Sequence, residues 1–503
     1  MEVIQSLKLI LENNGLIMRI CFYNWVDYDD KRKRGGGVTV YQKNLIDALN
    51  ANEKTQVYFI SSGVNYNPFN TEIKFKKNGN KYEIINSATL APSHLSFSSS
   101  TQVSHDATEK VFLEAISDIG KLDVIHFNNL EGIPVKIIKR IKETFPSIKI
   151  VFSVHNYYPF CPQVNLWERE RKNCRDYNGG RKCVTCVTHN HGEGYFKKNY
   201  YLDNFLLSKN IKDNTLLSKF SWSMAHKINN SFYKIKRFAT PPQSNSPMIN
   251  FSENAHYFLN RRQEFIQTIN ENCDVILTVS KRVADICLNF GIKKELLKVS
   301  YIGTAHYSKY LDSQPKGEGI STIAYLGYMR KDKGFEFFID ALRKVPEDIA
   351  KNINIVVAAK RHNEHYYYLL KELTARFNNV IFADGYSHKN IDKILENVDL
   401  GIVPVLWEDN LPQVAIEMHC RRIPILTSNL GGACELHNKN ERFTFQAGNY
   451  KDFVNKLTDL TLNGYDSREY WFNALSPVSM DQHLNELLNV YNDRNSLIHI
   501  ESL

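Results

Sequence analysis

Two parts of this sequence repeat the same order of an apolar strand, a glycine-containing loop and an amphipathic helix. The first has a strand at Met18–Trp25 and a helix at Val40–Leu49, and the second has a strand at Ile323–Leu326 and a helix at Phe335–Val345. Alternation of strands and helices is typical of a parallel sheet with helices on its faces. The sequence therefore predicts an α/β chain with two Rossmann-like sheets. The further predicted strands are Val57–Ser61, Val124–Phe127, Ile148–Val154, Asp274–Val279, Val299–Ile302, Ile353–Ala359, Val380–Phe382, Leu400–Val405 and Ile423–Thr427.

The chain length also predicts more than one domain, because 503 residues exceed the size of a typical single domain. Residues 303–319 contain glycine, serine and proline and indicate a linker. Residues 156–260 lack regular periodicity and contain four cysteines, so we predict an irregular insertion there. The predicted division is an N-terminal extension at 1–17, an N-terminal domain at 18–310, a C-terminal domain at 311–478, and a C-terminal helix with a tail at 479–503 that packs back on the N-terminal domain.

The composition is that of a soluble globular protein, with 43% hydrophobic and 23% charged residues. No apolar run approaches the ~18 residues of a membrane span, and charged residues interrupt the apolar positions of Met1–Asn13. We therefore expect a cytoplasmic protein without a secretory signal. The net charge of +9 suits an anionic partner: a phosphorylated ligand, a membrane surface or a nucleic acid. No nucleic-acid recognition motif is present, so we do not expect a nucleic-acid partner.

The most informative segment is Val403–Leu436, in which acidic residues and glycines follow a predicted strand. Asp409 and Glu417 are separated by seven residues, with Asp409 just before a predicted helix and Glu417 about two turns along it. At 1.5 Å per residue the two positions lie roughly 12 Å apart, which is the scale of a nucleotide sugar. A helix N-terminus also suits a diphosphate. The alternative interpretation is an ordinary helix with acidic residues at both ends.

Together with Pro424 and the Gly-Gly-x-x-Glu turn at 431–435, this segment resembles the retaining glycosyltransferase family 4. That family has the GT-B fold, in which two Rossmann-like domains face a central cleft. Its first acidic residue is usually Glu; here it is Asp409, and the adjacent Glu408 is an alternative. The resemblance implies that a nucleoside-diphosphate sugar binds the C-terminal domain through Glu408, Asp409, Asn410, Leu411, Glu417, Gly431, Gly432 and Glu435.

A second segment, Tyr325–Phe338, resembles the strand, loop and helix of the same family that carry a Gly and then Lys-Gly. Gly327 and Lys333 match, whereas Tyr328 stands where the family commonly has Arg, so Arg330 is a second candidate cation. A cation is needed because negative charge grows on the leaving diphosphate as the glycosidic bond breaks. We predict that Lys333 supplies it; the alternative is a solvated surface lysine.

The N-terminal domain contributes two further candidates. Gly36 and Gly37 match the family's glycine loop at the start of the first helix, where glycine lets the backbone approach a phosphate or a sugar closely. His155 follows the predicted strand Ile148–Val154 and matches a family His that contacts the transferred sugar or the acceptor. The resemblance therefore implies His155, Lys333 and Asp409 as catalytic residues. The alternative for His155 is a purely structural role at a strand end.

The insertion contains four cysteines in the pattern C-x12-C-x8-C-x2-C: Cys161, Cys174, Cys183 and Cys186. In a reducing compartment disulfides are rare, and four thiolates with one close pair suit tetrahedral zinc. We predict a structural zinc site, with His189 and His191 as reserve ligands; the alternative is four free thiols. The resemblance implies that catalysis itself requires no cofactor or metal.

The segment Val135–Phe145 predicts a basic amphipathic helix, and a second basic run lies at Lys31–Arg34. Such surfaces bind anionic lipid, although a solvated face of an ordinary Rossmann helix explains them as well. We therefore predict peripheral contact with the inner face of an anionic membrane as one of two alternatives.

The function that these features predict is retaining transfer of a sugar from a nucleoside-diphosphate sugar to a glycan or lipid-linked acceptor, in surface polysaccharide biosynthesis. Two alternatives remain: a GT-B sugar-nucleotide epimerase and a non-catalytic binding subunit with the same fold. Tyr328 and Asp409 are the departures from the family pattern that support the binding subunit.

Overall fold

The computed structural model describes residues 17–187, 192–211, 215–224, 251–317, 319–361 and 364–493. The reserve ligands His189 and His191 lie outside these residues. Two sheets organise the chain, and both have the parallel pairing predicted from the sequence. Each sheet has helices on its faces, so that the fold is two Rossmann-like units.

The N-terminal sheet has eight strands in the order β10-β9-β6-β5-β1-β2-β4-β3. Only the β3–β4 pair is antiparallel. Its strands are β1 Met18–Asn24, β2 Thr55–Ser62, β3 Lys74–Asn78, β4 Lys81–Ile85, β5 Val124–Phe127, β6 Lys149–Val154, β9 Val275–Thr278 and β10 Leu297–Val299. The helices of this half are α1 Gly36–Asn50, α2 Asp106–Ile119, α3 Ile137–Thr144, α4 Glu193–Ser208, α5 Phe251–Asn272, α6 Lys281–Asn289 and α7 Tyr307–Asp312.

The C-terminal sheet is wholly parallel, in the order β13-β12-β11-β14-β15-β16. Its strands are β11 Thr322–Tyr328, β12 Asn354–Lys360, β13 Asn379–Asp384, β14 Leu400–Val403, β15 Ile425–Ser428 and β16 Thr444–Phe445. Its helices are α8 Phe335–Leu342, α9 Glu347–Ala350, α10 Glu364–Glu372, α11 Ile391–Leu395, α12 Gln413–His419, α13 Tyr450–Asn463, α14 Ser467–Asn473 and α15 Met480–Asn492.

The central strands form the core because their side chains are apolar on both faces. Ile20, Phe22 and Ile125 of the first sheet and Ile323 and Val357 of the second are fully buried. Parallel strands covered by helices on both sides require this continuous apolar pattern.

The last helix, α15, returns to the N-terminal half. It begins with a capping box at Ser479, and its His483 Nε2 lies 2.7 Å from the Tyr41 hydroxyl on α1. Further along, the Tyr491 hydroxyl lies 2.6 Å from His126 Nδ1 on β5. The end of the described chain therefore packs on the N-terminal half, although it follows the C-terminal sheet in sequence.

The insertion contains more regular structure than the sequence indicates. After β6 come a two-stranded hairpin, β7 Trp167–Glu168 with β8 Lys172–Asn173, and a 3₁₀ turn at Cys183–Thr185. Helices α4 and α5 follow, and α5 begins at Phe251, inside the range predicted to be irregular. The expected linker at 303–319 likewise holds a helix, α7. Within the described residues no helix is both long and apolar enough to cross a bilayer.

Candidate active site

The predicted site residues of the two halves face each other where α1 and α12 begin. A Cβ on Gly37, in the first turn of α1, would lie 3.2 Å from Cγ of Gln413, the first residue of α12. Neighbouring Gly36 has a φ of +58°, which favours glycine. The glycine loop therefore lies directly opposite the helix that follows Asp409.

Lys333 and Asp409 form the central ion pair of this cleft. Lys333 Nζ donates to Asp409 Oδ2 at 2.6 Å, and the two side chains are 28% and 10% exposed. Lys333 Nζ also lies 5.2 Å from the centre of the Trp407 ring. A cation in this half-buried position can exchange its carboxylate partner for the oxygens of a diphosphate.

The Gly431–Gly432 turn fixes the backbone of Asp409. The Gly432 N–H donates to the Asp409 carbonyl at 2.9 Å. Gly431 has a φ of +73°, and a Cβ there would lie 2.0 Å from the same carbonyl oxygen. A side chain at Gly431 would therefore clash with the peptide of Asp409.

Glu417 lies on α12 and is buried, with 8% of its surface exposed. The Tyr386 hydroxyl donates to Glu417 Oε2 at 2.7 Å, and His306 Nε2 lies 3.9 Å from Oε1. Burial raises the pKa of the Glu417 carboxyl, although the hydrogen bond from Tyr386 and the charge of Arg421 act in the opposite direction. Tyr386 and His306 were not predicted, since each comes from a loop far from α12 in sequence.

Glu408, the alternative to Asp409, has a different environment. Its carboxylate accepts hydrogen bonds from Arg282 Nε at 2.9 Å, Asn173 Nδ2 at 2.7 Å and the Gly431 N–H at 3.0 Å. Burial alone would raise the pKa of Glu408, but its hydrogen bonds with Arg282 and the charge of that side chain hold the pKa below its ordinary value. Both oxygens are occupied by protein donors, so the geometry favours Asp409 as the donor-side acid.

Glu435 and Asn410 also contact the N-terminal half. Glu435 accepts hydrogen bonds from the backbone N–H groups of Lys281 and Arg282, at 3.0 and 2.7 Å. The Asn410 amide donates to the Val154 carbonyl at 3.0 Å. Leu411, the next predicted residue, is buried. These residues join the two halves beside the predicted donor site.

His155 lies at the end of β6, with Nε2 3.1 Å from Asn128 Oδ1 and its ring 5.2 Å from that of Tyr41. Burial lowers the pKa of His155 to about 3, and neighbouring His483 contributes to this lowering. The imidazole is therefore neutral near pH 7, and it can position a hydroxyl through a hydrogen bond without carrying charge.

Of the remaining predicted donor residues, Arg330 faces solvent. Its guanidinium binds both carboxylate oxygens of Asp332 at 2.8 Å, and its side chain is 61% exposed. Gly327, with a φ of +133°, lies near α12: a Cβ there would be 3.9 Å from Val414 Cγ1. Between the two candidate cations, the geometry favours Lys333 for the diphosphate.

The structure brings the four predicted metal-ligand cysteines together. Their thiols are free and line one small cavity beside Trp167 and Arg262: Cys161, Cys174, Cys183 and Cys186. Burial and the neighbouring thiols raise the pKa of Cys174 to about 12. Among the described residues, however, no group of three or more His, Cys, Asp or Glu side chains is arranged to hold a metal ion. The zinc site therefore stays a prediction, and binding would require the thiols to rearrange around the cavity.

Comparison with known proteins identifies a family match in the C-terminal half. Residues 308–474 match the family described as "Glycosyl transferases group 1". This range contains Lys333, Asp409 and Glu417. The family match supports a glycosyltransferase domain over this range. Over 158 residues the chain is 25% identical to spore coat protein SA from Bacillus subtilis, a match that spans 30% of this chain and 42% of that protein.

Solved structures share the fold along nearly the whole chain. Sucrose-phosphate synthase from Thermosynechococcus elongatus has a TM-score of 0.52 at 13% identity, over 94% of this chain and 98% of that one. The N-terminal domain of Candida albicans trehalose-6-phosphate phosphatase has a TM-score of 0.54 at 10% identity, over 95% and 97%. Anabaena HepE in complex with UDP has a TM-score of 0.50 at 12% identity, over 94% and 95%. At these identities the likeness establishes the GT-B fold.

Proposed function

We propose that this chain is a retaining glycosyltransferase of family 4. It transfers a sugar from a nucleoside-diphosphate sugar to a glycan or lipid-linked acceptor, in surface polysaccharide biosynthesis. The observation that carries this proposal is the Lys333–Asp409 pair, at 2.6 Å, in a cleft that also contains the glycine loop of α1. Both residues lie in the range that matches the glycosyltransferase family.

In the proposed reaction the bond between the anomeric carbon and the diphosphate oxygen breaks while the acceptor oxygen attacks from the same face. The acceptor proton passes to the leaving diphosphate. Lys333 stabilises the charge that develops on the diphosphate, and Asp409 accepts hydrogen bonds from the sugar hydroxyls. Glu417 accepts hydrogen bonds from the ribose hydroxyls. Neutral His155 contacts the sugar or the acceptor from the opposite side of the cleft.

The test is nucleoside-diphosphate release by the purified chain from a panel of nucleotide sugars, with and without glycan acceptors. Lys333→Ala should reduce turnover by about tenfold or more, since one charge-assisted contact to the leaving group is lost. Lys351→Ala is the control, because the side chains of Lys351 and its partner Glu347 are both exposed. Conversion of the donor sugar without acceptor would indicate an epimerase. Tight nucleotide binding without turnover of any donor would indicate a binding subunit.

For a lipid-linked acceptor we further propose peripheral contact with anionic membrane through the basic residues of α3. Lys136, which directly precedes α3, pairs with Glu264 at 3.4 Å, and Lys142 on α3 pairs with Asp274 at 2.7 Å. Lys139 lies 3.8 Å from Glu143 in an ion pair whose two side chains are exposed, and Arg140 is exposed as well. These two residues carry the proposal, because an exposed pair of this kind contributes little and can be exchanged for lipid phosphate. Co-sedimentation with vesicles should need anionic lipid, fall with added salt, and decrease when Lys139 and Arg140 are changed to Ser. Equal binding to neutral vesicles would contradict it.

A further inference from the structure

Residues 404–412, between β14 and α12, form the loop that we call the donor loop. Glu408 is its least exposed acid, with 2% of its surface exposed. Its hydrogen-bond donors come from both halves of the protein. Arg282, on α6, and Asn173, at the end of the β7–β8 hairpin, belong to the N-terminal half, whereas the Gly431 N–H belongs to the C-terminal half. Removing one of these partners is costly, because it leaves the buried carboxylate with an uncompensated charge.

The same contacts lie next to the proposed donor acid. Glu408 precedes Asp409, so their Cα atoms are about 3.8 Å apart. The turn that donates to Glu408 through Gly431 also holds the Asp409 carbonyl through the Gly432 N–H, at 2.9 Å. A shift of Glu408 would therefore move Asp409, and with it the Lys333 contact.

Helix α6 strengthens this connection through its first turn. Ser280 caps α6, and its hydroxyl donates to the Asn410 carbonyl at 2.9 Å. Glu435 accepts from the first two backbone N–H groups of α6 and from the Tyr301 hydroxyl at 2.6 Å. A carboxylate is favoured at a helix N-terminus. The start of α6 is thus fixed to the donor loop on both sides of the Arg282–Glu408 contact.

We infer that Arg282 and Asn173 are positioning residues of the donor site, which act through Glu408 to hold Asp409 in place. This inference rests on the proposed function. It also gives the cysteine-containing insertion a role, because Asn173 directly precedes Cys174 of the thiol-lined cavity. Donor binding then depends on two side chains of the N-terminal half that need not touch the donor.

The test uses Arg282→Gln and the milder Asn173→Ser in the full chain. Arg343→Gln is the matched control: Arg343 contacts Glu372 at 2.5 Å and has the same 35% exposure as Arg282. Isothermal titration with UDP and steady-state kinetics over donor concentration give Kd, KM and kcat, and thermal unfolding gives Tm. Arg282→Gln should reduce donor kcat/KM by about tenfold to hundredfold and Asn173→Ser by less, while the control leaves it unchanged.

Two results separate positioning from a merely structural role. If Arg282 acts through Glu408, the Arg282→Gln/Glu408→Gln double variant should be no more impaired than Glu408→Gln alone. Additive losses in kcat/KM would overturn the inference, as would a lower Tm with unchanged kcat/KM and Kd. A wild-type chain that binds UDP without turnover would refute the proposed function alone, since the Kd values still test positioning.

Discussion

Replacement of Glu417 by Gln separates the proposed ribose contact from any structural role of this carboxyl. The side chain is 8% exposed and accepts a hydrogen bond from Tyr386 at 2.7 Å. Glutamine keeps the shape and one acceptor oxygen, so the Tyr386 hydroxyl retains a partner. What is lost is the negative charge that we propose receives the ribose hydroxyls.

The two effects of this change have opposite signs. A hydrogen bond to a charged group contributes about 1.5–3 kcal/mol and a neutral one about 0.5–1.5 kcal/mol. The two ranges differ by about 1–1.5 kcal/mol, so nucleotide affinity should fall by roughly 5- to 12-fold. Because burial raises the pKa of Glu417, the folded state favours the protonated form. That stabilising contribution is present below the unfolded pKa of about 4.3 and is lost as pH rises through the folded pKa. At pH 7 the neutral variant should thus be at least as stable as the wild type.

The assay combines isothermal titration, using the tightest nucleoside diphosphate of a panel, with urea unfolding at pH 7 and pH 4.5. Glu372→Gln is the control, an exposed carboxylate of the same domain that pairs with Arg343. It should change neither quantity measurably. Unchanged nucleotide affinity in Glu417→Gln would refute the ribose assignment. A loss of affinity accompanied by a loss of stability at pH 7 would show that the carboxylate has a structural role.

Three further predictions concern stability, turn geometry and metal. Burial lowers the pKa of His437 to about 3. As pH falls below about 6.5 the unfolded state takes up the proton first, so the free energy of unfolding should fall by up to about 1.4 kcal/mol per pH unit for this residue. Urea unfolding of His437→Gln should therefore show a weaker dependence of that free energy on pH. Gly431→Ala, at a φ of +73° and against the Asp409 carbonyl, should destabilise the fold by about 1–2 kcal/mol or more and weaken nucleotide binding, with wild-type behaviour counting against the turn's role. Metal analysis of protein prepared without chelator should find about one zinc per chain held by the four cysteines; metal-free protein with an unchanged Tm would contradict this.

Sequence periodicity predicted the sheets well where a strand is buried on both faces. Strands β1, β5 and β6 lie within a residue or two of their predicted positions, since continuous apolar runs distinguish central parallel strands. The β3–β4 hairpin was not predicted, because β3 has the sequence KFKKN and forms an exposed edge without an apolar pattern. Helix α4 was missed for a related reason: its aromatic residues are spread around the helix and none of them is buried.

The site was predictable to the extent that it is local in sequence. Spacing placed Asp409 before α12 and Glu417 on it, and the glycine turn followed from the same segment. The partners that define their environments come from elsewhere: Tyr386 follows β13, and Arg282 lies on α6 of the other half. No pattern in a single sequence connects Arg282 with Glu408, which are 126 residues apart, so this contact between the halves required the structure. Tyr386 is nearer to Glu417, at 31 residues, but it lies outside the segment whose spacing was informative.

The adjacent pair Glu408 and Asp409 shows why the choice of the donor-side acid depended on the three-dimensional arrangement. In sequence the two carboxylates are equivalent candidates one residue apart. In the fold, Glu408 accepts hydrogen bonds from side chains of the N-terminal half, and its bond with Arg282 keeps its pKa low. Asp409 instead accepts a hydrogen bond from Lys333, which lies between β11 and α8. Two neighbouring acids can therefore serve two interfaces, one between the protein's halves and one with the proposed ligand. A change in the relative position of the halves would act on the proposed donor site through the backbone that Glu408 and Asp409 share.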